Sequence, residues 1–66
     1  MEKLKQQAEE NLNKVIKLSY TRKNHKDPML RSGMINKVET KGILFNLSQS
    51  TKRLYIKWEE INEIII

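Results

Sequence analysis

Few side chains in this sequence have the type and spacing for chemistry. His25, the one histidine of the chain, stands near Asp27 and invites comparison with a nucleophilic triad. A triad needs nucleophile, imidazole and carboxylate held within hydrogen-bonding reach. Nothing in the spacing ties Ser19, Ser32, Ser48 or Ser50 to that pair, so His25 reads as a loop residue. Glu59, Glu60 and Glu63 form the one acidic cluster. Carboxylates ligate hard divalent cations, but the loop that builds a calcium site is missing around them. They read instead as acids that solubilise a turn between Trp58 and Ile61, or that pair with Arg53 and Lys57. Gly33 and Gly42 belong to turns rather than to a phosphate-cradling loop. With no cysteine, disulfides, iron–sulfur clusters and the usual structural zinc sites are excluded. The expectation is a protein without enzymatic activity, metal or cofactor.

The remaining group is basic. Thirteen Lys and Arg stand against eight Asp and Glu, a formal charge of +5 on 66 residues. On so small a body that field attracts nucleic acid, anionic lipid or an acidic protein face. Arg22, Lys23 and Lys26, joined by Arg31, lie in a segment that reads as a loop and could grip phosphates with a salt-dependent affinity. A single strand also wants aromatic platforms. Tyr20, Phe45 and Trp58 fall on core positions by strand parity, which leaves Tyr55 exposed between Arg53 and Lys57. The candidate surface for nucleic acid or an acidic partner is therefore Arg22, Lys23, Lys26, Arg31, Arg53, Lys57 and Tyr55. The plain alternative is a solvated hairpin loop.

The elements that must position these residues follow from periodicity. A helix is expected over about residues 2–14, which lack Gly and Pro and are rich in good helix formers. Leu4, Ala8, Leu12 and Val15 make one narrow apolar stripe, and such a stripe generally docks on the chain's own core. From Val15 onward the apolar period falls to two. Strands are expected over about 15–22, 32–39, 43–48, 52–58 and 63–66. Within the second, Ile35 and Val38 break strict alternation, which a bulge would repair. Gly42 suits the turn after Thr40 by its access to positive φ, and Glu59–Asn62 suits a single 3₁₀ turn. Ile64, Ile65 and Ile66 cannot all face inward from one strand, so Ile65 and Ile66 are candidates for an interface.

One short domain over residues 1–66 results, of class α+β and mainly β. It is an N-terminal helix followed by a five-stranded antiparallel SH3-like or Sm-like barrel, with strand five returning beside strand one. So short a chain builds a small core, which favours self-association through edge strands. The polar opening Met1–Gln7 has no apolar stretch of the signal-peptide type, and Ile64–Ile66 is too short to span a bilayer. A cytoplasmic protein that does not bind membrane is expected.

Residues 11–66 resemble the YolD-like family of small bacterial and phage proteins. The resemblance is carried by Val15-Ile16-Lys17-Leu18-Ser19-Tyr20, by Gly33-Met34-Ile35 with Val38, and by the ending Leu54-Tyr55-Ile56-Lys57-Trp58-Glu59-Glu60-Ile61-Asn62-Glu63-Ile64. WYL domains share the barrel class and part of the trace, but their tripeptide is matched only loosely by Leu54-Tyr55-Ile56. Genes of the YolD-like family often neighbour translesion DNA polymerases. The resemblance therefore implies a non-catalytic binding or adaptor protein, an accessory factor in DNA-damage tolerance or in phage and mobile-element biology. Its partner would be a larger protein, a DNA polymerase or a host factor. The segment 21–32 is longer and more basic than the family pattern. Two alternatives stand beside this one: a basic nucleic-acid binder, and a phage-type inhibitor of a host enzyme.

Overall fold

The computed structural model describes residues 2–66. Helix α1 (Glu2–Glu10) is followed by β1 (Val15–Tyr20), β2 (Met29–Val38), β3 (Gly42–Leu47) and β4 (Arg53–Lys57). A 3₁₀ turn (Trp58–Glu60) then leads into β5 (Ile61–Ile65). The strands form one five-stranded sheet of order β4-β3-β2-β1-β5, with every neighbour antiparallel. This is the expected helix followed by a bent meander, with β5 returning beside β1. One expectation is corrected: the barrel is not closed, because β4 and β5 are the two ends of the sheet and do not pair.

Alternation decides what the sheet buries. Ile16, Leu18 and Tyr20 of β1 point inward, while Lys17 is exposed and Ser19 is half-buried. Ile35, Ile43, Phe45, Ile56 and Ile64 complete the floor. Phe45, Leu18, Ile35, Ile43 and Ile56 have no appreciable exposure, and each such side chain contributes about 1.5–3 kcal/mol by leaving water. Trp58 closes one end, its Nε1–H donating to the carbonyls of Glu39 and Thr40, 3.1 Å from each. An indole buried with its donor satisfied keeps its large apolar contribution.

The bulge expected in the second strand is present. Ile35 pairs with Phe45 and Lys37 with Leu44, so Asn36 is the extra residue. The slip puts Ile35 and Val38 on the core side together and bends the strand. The carbonyl of Ile35 there accepts the Asn13 N–H at 2.9 Å, which fastens the helix–sheet connection. A second irregularity lies between Ser19 and Tyr20, where β5 carries Asn62 as its surplus residue.

The helix is shorter than expected. It stops at Glu10 because Asn11 bonds back to it, its Nδ2 donating to the Gln7 carbonyl at 2.8 Å. Asn13 then takes a left-handed φ of 60°, a conformation that asparagine tolerates and that reverses the chain after a helix. Only Leu4 and Ala8 of the expected stripe reach the core, whereas Leu12 and Val15 are exposed. The second strand begins at Met29 rather than near 32, since Pro28 ends the loop. The first and fourth strands stop at Tyr20 and Lys57, and β5 starts at Ile61. Neither glycine adopts positive φ. Gly42 is required for a different reason: a Cβ there would run into the Ile56 carbonyl of β4.

Gly33 is under the same constraint. A Cβ at that position would collide with the Asn46 carbonyl oxygen and lie 2.8 Å from the tip of the Phe45 ring. Gly33→Ala should therefore lower the unfolding free energy by about 3 kcal/mol, the upper range for overpacking against rigid groups. Urea unfolding compared with the neighbouring exposed Ser32→Ala checks this. Equal midpoints for the two variants would show that the β2–β3 contact is not tight.

Candidate functional site

The expected basic cluster does not form one site. Arg22, directly after β1, turns across the gap between the two sheet ends. Its Nη1 donates to the Tyr55 carbonyl of β4 at 2.9 Å and reaches Glu60 Oε1 at 3.5 Å. Its guanidinium also lies 5.6 Å from the centre of the Tyr20 ring, within cation–π range. Glu60 Oε1 accepts the Lys57 backbone N–H at 3.0 Å. Nearby, Thr21 N–H donates to the Glu60 carbonyl and Asn62 Nδ2 to Thr21 Oγ1, each at 2.8 Å. These side chains fasten the seam that strand pairing leaves open. The acid that finds a cation here is Glu60, and its partner is Arg22 rather than Arg53 or Lys57.

The other loop cations are dispersed. Lys23 and Lys26 are exposed in the loop, and Lys23 shares a depression with His25, Lys57, Glu59 and Glu60. No serine lines that depression. Arg31 lies within β2, paired with Leu18 across the ladder, and its Nη1 donates to the Leu30 carbonyl at 3.0 Å. The loop thus ends before Arg31, which separates this cation from Arg22. Among the described residues, no three acidic or imidazole side chains gather in a way that could hold a metal ion. No helix is long and apolar enough to cross a membrane among those residues.

The outer side of the sheet divides into two fields. On β4, Arg53, Tyr55 and Lys57 are exposed while Ile56 between them is buried. Alternation therefore aligns the three along one outward row. Leu44 lies beside Tyr55 and Lys37 beside Leu44, while Asn46 lies beside Arg53. Lys5 and Lys41 join Lys37 and Tyr55 around a shallow cleft that also contains Glu9 and Glu39. Glu39 stands 3.7 Å from Lys37. Of the four large rings, Tyr20, Phe45 and Trp58 are buried and Tyr55 is 38% exposed, as its position between Arg53 and Lys57 suggests.

The second field is apolar and lies on β5, β1 and β2. Ile64 enters the core, and Ile65 and Ile66 remain outside. They line a depression with Val15, Lys17 and Ser32. Met34 stands opposite Val15 in the ladder, and Leu30 opposite Ser19. Val15 is 70% exposed and Leu30 is 51% exposed. Val15 opens the expected first strand but was also counted in the helix stripe; its odd parity against Ile16 and Leu18 was the signal that it faces outward. Lys37 was missed because only strand register brings it toward Tyr55, and Lys41 because only the folded β2–β3 turn sets it at the same cleft.

No family model, curated protein or solved structure matches the chain.

Arg22 holds a partly exposed salt bridge and a charged hydrogen bond to a carbonyl. Solvent screens the pair, so their joint contribution is about 1 kcal/mol rather than the larger value of a buried ion pair. Arg22→Ala should lower the urea midpoint accordingly, and Glu60→Gln, which keeps an oxygen acceptor for Lys57 N–H, should cost less. An unchanged midpoint in Arg22→Ala would show that the seam does not need this clasp.

Proposed function

We propose that this chain is a cytoplasmic, non-catalytic adaptor that docks onto a larger protein through the outer face of β5, β1 and β2. The observation that carries the reading is the depression where Val15, Ile65 and Ile66 are exposed together, with the exposed Leu30 further along the same face. Apolar side chains gathered on one outer surface have a cost in water that a partner removes. Lys17 and Ser32, paired across the ladder beside Ile65, add polar groups within the same depression, and interfaces of this kind carry hydrogen bonds beside their apolar contacts. The resemblance to YolD-like proteins supports placing the adaptor in DNA-damage tolerance or phage biology, with a polymerase or host factor as the larger partner. Inhibition of a host enzyme would use the same face.

A second reading is supported by a separate observation. Arg53, Tyr55 and Lys57 project together from β4, and that arrangement of cation, ring and cation favours nucleic acid.

Co-purification from the native host tests the adaptor reading. The wild-type chain should retain one larger protein, and the exposed-site variant Val15→Asp/Ile65→Asp should lose it while keeping its circular dichroism. Recovery of the same partner by both chains removes the apolar face from the interface. A dimer in solution that the variant dissociates would assign the face to a second copy instead of to a larger partner.

A further inference from the structure

The single exposed ring stands in a position that charge alone does not explain. Three of the four large aromatic residues are buried, and the fourth, Tyr55, lies on an edge strand with a cation on each side of it along the chain. A strand advances about 3.3 Å per residue, so Arg53 and Lys57 are anchored about 13 Å apart with Tyr55 midway. The cross-strand neighbours of the three are Asn46, Leu44 and Gly42. None carries a charge, and Gly42 has no side chain at all, so the floor beside the row is low. Two of the nearest acids are occupied elsewhere, while Glu9 lines the cleft at Tyr55 with no ion pair among the described residues. Glu60 bonds Arg22 and the Lys57 N–H, and Glu39 stands against Lys37. Glu59 shares a depression with Lys57 and its carboxylate bonds no side chain among the described residues. Lys23 and Lys41 border Lys57 on either side.

From this arrangement we infer that the outer row of β4 is a binding site for an unpaired nucleic-acid strand, with a base stacked on Tyr55 and flanking phosphates on Arg53 and Lys57. The inference rests on the nucleic-acid reading and specifies its ligand. The argument for a single strand over a duplex is geometric. In a duplex the base faces are already stacked on one another, and a tyrosine standing on a sheet surface has no face to meet. In a single strand the faces are accessible, and stacking on an aromatic side chain tolerates any base. The outer flank of an edge strand also lets an extended strand lie along it without having to enter a groove. Sequence preference should therefore be weak, and salt dependence should be moderate. Neutralising two phosphates on a single strand gives a slope of log K against log salt of about −1.4.

Fluorescence anisotropy with a labelled oligothymidylate at low salt tests this, with a hairpin duplex and phosphatidylglycerol vesicles as competitors. Tyr55→Thr keeps a strand-favouring residue and removes the ring, whereas Tyr55→Phe keeps the ring. The single strand should bind more tightly than the duplex, Tyr55→Thr should weaken it about tenfold, and Tyr55→Phe should bind as wild type. Arg53→Ala/Lys57→Ala should flatten the salt slope by about 1.4. Absence of binding to every nucleic acid overturns the nucleic-acid reading together with this inference. Tight binding that favours the duplex, or that ignores Tyr55→Thr, overturns the inference alone. Vesicles that displace the oligonucleotide as well as unlabelled oligonucleotide does would show attraction to any polyanion, and that also overturns it.

Discussion

Curvature is the constraint on which the rest of this structure depends. Five strands in a flat sheet would present one apolar face with nothing to cover most of it, since α1 is short and only Leu4 and Ala8 reach the core. The sheet must fold over onto itself so that Ile16 and Leu18 of β1 share an interior with Phe45 of β3 and Ile56 of β4. Two slips in the ladder supply the bend: Asn36 in β2 and Asn62 in β5. Two glycines supply the close approach, because Gly33 and Gly42 let adjacent backbones sit where a Cβ would collide with a carbonyl. Together these four residues allow a short chain to enclose a filled core.

Bending without closing leaves two edges, and edges invite unwanted pairing. On β4 the central groups are already occupied. The Tyr55 carbonyl is taken by Arg22 and the Lys57 N–H by Glu60. Side chains thus replace the neighbour strand that closure would have provided. Trp58–Glu60 leads directly from β4 into β5, and Trp58 is pinned to the β2–β3 turn. The chain has crossed the end of the sheet before β5 begins. One electrostatic consequence is that Arg22 is not available to a ligand, and the usable positive field lies on β4 and its neighbours.

Alternation made most of the sheet legible in the sequence. Ile16, Leu18 and Tyr20 announce their strand, and the mismatch of Ile35 with Val38 announces the bulge at Asn36. Tyr55 was placed outside by parity with Leu54 and Ile56, and it is outside. What could not be read were interactions between residues distant in sequence. Arg22 and Glu60 meet only because the sheet brings the end of β1 beside the 3₁₀ turn, and no local pattern encodes that. The helix end was legible in principle, since Asn11 and Asn13 are suited to stop a helix, but the stripe from Leu4 to Val15 drew attention past them. The role of Gly42 was misjudged for a related reason. A glycine in a turn suggests positive φ, whereas the real requirement comes from a strand not yet in view.

The filled core also limits where binding can take place. With Phe45, Leu18, Ile35, Ile43 and Ile56 leaving no appreciable surface, a ligand has only the outside of the sheet. That outside is not uniform, because on β5, β1 and β2 the outward residues mix Val15, Leu30, Met34 and Ile65 with Lys17, Ser19, Ser32 and Glu63, while those on β4 set a ring between two cations. Val15 and Tyr55 stand on β1 and β4, with β2 and β3 between them in the sheet order. The two proposed occupants therefore engage different strands. A protein seated over Val15 and Ile65 leaves Tyr55 exposed, and a strand lying along β4 leaves Val15 and Ile65 bare. The adaptor and nucleic-acid proposals thus draw on differently lined parts of one sheet: aliphatic side chains at Val15 and Ile65, and a ring between two cations on β4.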